Sequence, residues 1–110
     1  FTKANDKNRL FFSYYNISGI YCLLNDTANA LYYANETMKI AEAGKDENSM
    51  MRAHIAMADV YAVKKKYDSV YYYAARGLPV ARNLNNVFGV GKFYTFFGIY
   101  YAQKTKEYDK

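Results

Sequence analysis

The sequence contains one cysteine, one proline and one histidine in 110 residues, and no tryptophan. Cys22, standing alone, excludes an internal disulfide framework and leaves the redox compartment unmarked. His54 has no second imidazole or adjacent thiol to complete a metal set or a nucleophile–base pair. No apolar run approaches the roughly 18 residues of a membrane span. No stretch sustains a two-residue alternation, which argues against strands. Charge is thin as well: the net +5 is spread along the chain, whereas nucleic-acid binders concentrate Lys and Arg in a stripe. There is no initiator Met and no basic start followed by an apolar leader. The chain runs from Phe1 to Lys110, where a further helix is expected to open, so it reads as a piece of a longer protein. Apolar side chains, in contrast, are plentiful at 52%, enough for one core and inconsistent with disorder.

That apolar content is periodic. Tyr14, Ile17, Ser18 and Tyr21 return forty positions later as His54, Met57, Ala58 and Tyr61, and again as Tyr94, Phe97, Gly98 and Tyr101. Between them, Ala30-Leu-Tyr-Tyr-Ala34 and Ile40-Ala41 return as Val70-Tyr-Tyr-Tyr-Ala74 and Val80-Ala81. A fixed period of this length marks a stacked-repeat architecture. Within each unit, Leu10, Tyr14, Ile17, Tyr21 and Leu24 fall at helical intervals, as do Met50, His54, Met57 and Tyr61, and Val90, Tyr94, Phe97 and Tyr101. Second helices follow at Ala30, Ala34, Thr37 and Ala41, and at Val70, Ala74, Gly77 and Ala81.

The spacing therefore predicts about five helices in one domain: a first repeat over about 6–44, a second over about 46–84, and a truncated third over about 86–110. Polar turns are expected at Asn25-Asp-Thr, Lys64-Lys-Lys and Lys104-Thr-Lys, with a sixth helix opening at Tyr108. Asp26 or Thr27, Asp46 or Asn48, Asp68, and Asn85 or Asn86 are the candidate N-caps. Pro79 conflicts with its surroundings, because its ring removes a hydrogen bond and meets the Ala75 carbonyl. The fourth helix is expected to kink after Gly77 or to stop near Arg76. In each pair, small residues on the second helix let the backbones approach while Tyr21, Tyr61 and Tyr101 fill the remaining volume.

The pattern resembles the tetratricopeptide repeat. Tyr14, Ile17, Ser18, Tyr21 and Ala30 match the aromatic, Leu-like, small, Tyr and small positions of that family; His54, Met57, Ala58 and Tyr61 match again, as do Tyr94, Phe97, Gly98 and Tyr101. The period is forty rather than thirty-four, the aromatic of the second helix is displaced to Tyr32, Tyr33, Tyr72 and Tyr73, and the closing proline is absent. The resemblance implies an all-α, antiparallel helix-pair solenoid wound as a right-handed superhelix. It also implies a non-catalytic scaffold that holds a protein, a peptide or a neighbouring domain on its concave side, with no cofactor. The long period and the Tyr-Tyr pairs are similar to arrays in the sensory portions of bacterial histidine kinases and regulators, which adds a sensory or dimerisation segment as an alternative.

Carried over residue by residue, the family's groove falls on Phe12, Tyr15, Asn16 and Gly19, on Arg52, Ile55, Ala56 and Asp59, and on Lys92, Thr95, Phe96 and Ile99. The positions of the family's carboxylate clamp hold Tyr15, Gly19, Ala56, Lys92 and Phe96, of which only Lys92 fits, so that mode is not expected. His54 sits where a packed aromatic is usual and reads as core. Cys22 reads as a small packed or groove-facing residue. Gly89-Val-Gly91-Lys92 lacks the upstream glycine, the following Ser or Thr and the preceding strand of a phosphate loop, and reads as a loosely packed helix start. The fourteen tyrosines suit repeat packing better than base stacking. Lys64, Lys65 and Lys66 with Lys104 and Lys106 leave a basic edge as a third, nucleic-acid alternative. The sequons at Asn16, Asn25 and Asn35 carry no glycan in this reading, since two of them lie inside helices. Finally, the fifth helix is apolar around much of its circumference and expects cover on more than one side. Self-association with a second copy is expected through residues 93–101, with Phe93, Phe97, Tyr100 and Tyr101 at the contact.

Overall fold

The computed structural model describes residues 3–108. They form α1 (Lys3–Leu23), α2 (Thr27–Gly44), α3 (Glu47–Val63), α4 (Tyr67–Asn83) and α5 (Val87–Tyr108), with no strand among the described residues. The protein is an all-helical solenoid of antiparallel helix pairs, 57 × 32 × 19 Å.

The turns explain the succession. Asn25, Lys45, Lys65 and Asn85 each take a left-handed φ of 53–61°, so the chain reverses every twenty residues. At Asn25, Lys65 and Asn85 the N–H bonds the carbonyl three residues back, and the next N–H bonds the carbonyl five back, closing the helix C-terminus. Lys45 instead uses a single bond to Ala41. The following residue then caps the next helix: Asp26 accepts from the Asn29 N–H, Asp46 from Ser49 and Asn86 from Gly89. At α4 this position holds Lys66, which makes no side-chain cap. Asp68 is not the cap; it lies inside the first turn of α4, where its charge still faces the positive helix end.

The expected turn at Lys104-Thr105-Lys106 does not form, and no sixth helix opens at Tyr108, because α5 runs straight through. Thr105 occupies the slot that needs a left-handed residue. Its β-branch resists that conformation, and its hydroxyl instead donates to the Tyr101 carbonyl at 2.9 Å. Residues 109 and 110 lie outside the described residues. The helix does not stop near Arg76 either: α4 continues through Pro79 to Asn83. Pro79 and Ala75 are both exposed, so water reaches the carbonyl that the proline leaves unbonded.

Helices touch in a stepwise order. α1 packs on α2 and α3, α3 on α4 and α5, α2 on α3, and α4 on α5; among the described residues α1 does not reach α5, nor α2 α4. First helices therefore form one continuous row while second helices splay apart behind it.

Packing repeats with the sequence. Tyr21 stacks on Tyr33 at 5.8 Å and 9°, and Tyr61 on Tyr73 at 5.7 Å and 7°. Against these pairs sit the wholly buried Ala30 and Ala34, then Val70 and Ala74. One exchange breaks the copy. Thr37 and Ala53 are both wholly buried, and their equivalents forty residues on are Gly77 and Phe93. A Cβ on Gly77 would fall inside the Phe93 ring, so the glycine makes room for an aromatic where the earlier repeat has an alanine. Gly89 is likewise tightly packed rather than loose, since a Cβ there would lie 2.5 Å from Met51 Sδ and 3.2 Å from Ala81 Cβ.

Candidate binding groove

The row α1–α3–α5 gives the three first helices a common inner face. Phe12, Arg52 and Lys92 are equivalent at the forty-residue offset and all reach solvent there. The Arg52 guanidinium carbon stands 5.7 Å from the Phe12 ring centre and 5.9 Å from that of Tyr15. Its Nε is buried with no hydrogen-bond partner. Two turns further along α3, Asp59 Oδ1 lies 3.6 Å from Lys92 Nζ, and Lys92 also sits 5.3 Å from the Phe96 ring centre. Between α1 and α3 lies a hollow of about 140 Å³ lined by Tyr15, Asn16, Ser18, Gly19, Cys22, Ala56 and Asp59.

Electrostatics follow from partial burial. Desolvation raises the Asp59 carboxyl above its usual range, and the Lys92 ammonium pulls it part of the way back. Burial pushes the Tyr15 phenol up, opposed by Arg52 beside it. The Cys22 thiol is pushed up to about 11 by burial and then by Asp59, so it stays protonated near neutrality and is a poor nucleophile.

Two expected groove residues do not line the face. Ile55 is fully buried and Phe96 is 2% exposed; both belong to the core shared by α3, α4 and α5, where they support the groove from beneath. Ala56 is nearly buried, while Asn16 and Gly19 are open and Ile99 is half-buried. Thr95 is exposed, and its hydroxyl donates to the Gly91 carbonyl at 3.0 Å. The inner face is thus more charged and less aliphatic than the sequence pattern implies.

At the expected self-association face, Phe93 is wholly buried against Gly77 and cannot contact a partner. Phe97 and Tyr100 are half-buried under Tyr71, with ring centres 5.4 and 4.7 Å from it, and Tyr101 is 55% exposed. Tyr94, inside the expected 93–101 span but not among its four expected contacts, is 50% exposed.

His54 is buried, as its aromatic slot suggests, but it does not vanish into a closed core. Because α2 and α4 splay, a cleft of about 830 Å³ opens on the outer side of α3, walled by Met38 and Glu42 on one flank and by Tyr72 and Arg76 on the other. Met50, His54 and Met57 form its floor. The His54 Nδ1 is buried without a partner, and burial first, then Arg76, lower its pKa against the opposing pull of Glu42.

The lysine edge is mixed in sign. Lys104 Nζ lies 3.5 Å from Glu107 and 3.8 Å from Asp68, next to Lys65 and Lys66. Among the described residues no group of three His, Cys, Asp or Glu side chains converges as a metal set, and no helix is long and apolar enough to cross a membrane. Against known proteins, no family model matches the chain, and no curated protein or solved structure matches it significantly.

Proposed function

We propose that the chain is a non-catalytic, tetratricopeptide-like interaction module that holds an extended acidic peptide along the α1–α3–α5 face. The observation that carries this reading is Arg52: a half-buried guanidinium set beside two aromatic rings, on the open side of the helix row. Stacking fixes the guanidinium before a ligand arrives, so little side-chain freedom is lost on binding. A carboxylate would pair with its positive charge, and the hollow beside Tyr15 would take a small side chain of the same peptide.

The test is fluorescence anisotropy with an arrayed peptide library containing single and spaced acidic residues. Arg52→Ala is expected to weaken the best acidic binder by about ten- to a hundredfold, the worth of a charge-assisted hydrogen bond. Phe12→Ala is expected to weaken it less. Peptide binding that survives both substitutions with helicity intact removes the groove from the reading.

A further inference from the structure

Beside the groove, and sharing only Thr95 with it, α5 carries a second surface. Gly91, Tyr94, Thr95, Gly98, Tyr101 and Ala102 are all exposed. Their equivalents in α3 are Met51, His54, Ile55, Ala58, Tyr61 and Ala62; the first four are buried and the last two half-buried, packed beneath α4. This side of α5 is therefore the one that α3 covers with its own second helix. Lys92 is the only charged residue from Val87 to Gln103, and it points to the inner face, where it pairs with Asp59. A helix that itself contributes no charge to a bare face expects a partner.

The pattern on that face selects the partner. Gly91 and Gly98 occupy one register of a heptad, and Tyr94 and Tyr101 the other. A Cβ added at either glycine would meet nothing within 4 Å, so each glycine is an open notch. The tyrosines are fixed knobs. Arg82 hydrogen-bonds the Tyr94 hydroxyl and stacks 5.5 Å from its ring, and Tyr71 braces Tyr101 edge-on at 6.4 Å. Two such helices laid parallel would set glycine against glycine and tyrosine against tyrosine, leaving voids beside clashes. Laid antiparallel, every tyrosine meets a glycine. The face is complementary to itself under a two-fold rotation, the arrangement of an isologous contact.

We propose that two copies of this chain pair through this face, with the α5 helices antiparallel, Tyr94 of each in the Gly98 notch of the other and Tyr101 in the Gly91 notch. The two-fold axis then crosses the exposed face level with position 96, beside Thr95. The inner faces stay free, so dimerisation and peptide capture are separable.

Sedimentation equilibrium on the intact chain tests the pairing. A concentration-dependent dimer is expected. Gly98→Leu fills the notch, and its Cβ meets nothing of the protein's own packing, so it is expected to weaken dimerisation by about tenfold or more while helicity is kept. Orientation is read by disulfide trapping in a Cys22→Ser background. Thr95→Cys is expected to cross-link to its own copy. Val87→Cys is not, because the antiparallel register sets the two positions roughly 27 Å apart at 1.5 Å per residue. A monomer at every concentration, a dimer indifferent to Gly98→Leu, or ready cross-linking of Val87→Cys would each overturn the proposal.

Discussion

α3 and α5 are the same helix written twice, forty residues apart, yet one is the most buried element of the protein and the other lies half open. α3 is enclosed by α1, α2, α4 and α5; among the described residues α5 meets only α3 and α4. Their side chains divide accordingly. Towards the preceding repeat, α3 has Ala53 and Ala56 where α5 has Phe93 and Phe96, and all four are buried. Towards the following one, α3 has Met51 and Ile55 where α5 has Gly91 and Thr95, and only the α3 residues are covered. Bulk has moved from one side of the helix to the other. The repeat period fixes which faces meet; the volume on each face decides how tightly.

The largest expected effect falls on the covered side. Phe93→Ala should cost about 3–5 kcal/mol in urea unfolding, while Tyr101→Ala, at the open side, should cost under about 1 kcal/mol in dilute solution. Equal losses would erase the distinction between the two faces. The glycines sharpen it. Gly77→Ala forces a Cβ into the Phe93 ring and should cost about 1–3 kcal/mol, whereas Gly98→Ala meets open space and should gain up to about 1 kcal/mol of helix propensity. Gly77→Thr combined with Phe93→Ala rebuilds the Thr37/Ala53 pair of the preceding repeat. A double-mutant cycle should therefore show the pair destabilising less than the sum of its parts.

A second comparison sets α4 against α2. Pro79 stands where α2 has Lys39, and both are exposed. Pro79→Lys restores the N–H that α4 lacks and should raise stability by about 1–3 kcal/mol. No change in the denaturation midpoint would mean that α4 has already relaxed around the proline.

The architecture was legible because two signals coincide in the residues: helical spacing within each unit and a forty-residue return between units. Ala30, Ala34, Val70 and Ala74 were placed correctly, since small residues opposite tyrosines leave one way to pack. The caps at Asp26, Asp46 and Asn86 were legible as side chains able to accept a first-turn N–H. Asp68 misled because it is a good cap two positions too late, after a backbone reversal at Lys65. The groove was only half legible. A helix position says which way a side chain leaves the axis, but not whether the neighbouring helix stops short of it, so Ile55 and Phe96 were assigned to a surface that packing closes over. The outer cleft was not legible at all, because it exists only through the separation of α2 and α4, which no local pattern encodes. Likewise, the turn expected at Lys104 rested on polarity, whereas the turns that form depend on a residue willing to adopt positive φ, and Thr105 is not one.

The smallest expected effect is a pH dependence at that cleft. The folded pKa of His54 is lowered by burial and by Arg76, while in the unfolded chain it returns to about 6.5. As pH falls below that value the unfolded chain takes up the proton first, so the contribution of neutral His54 is present above about pH 6.5 and is lost as pH falls through the folded pKa. His54→Tyr, which installs the residue found at the equivalent positions 14 and 94, should flatten the stability profile between about pH 7 and 5 relative to the wild type. Asp59 is raised rather than lowered and bends the profile the other way, but it is common to both proteins and cancels in the difference. The neighbours fix the sign further. Arg76→Gln removes a cation that opposes protonation and should bring the His54 NMR titration back towards its ordinary midpoint; Glu42→Gln removes an anion that favours protonation and should drive it lower. If both substitutions leave the titration unmoved, the two walls of the cleft do not act on its floor, and burial alone sets the histidine.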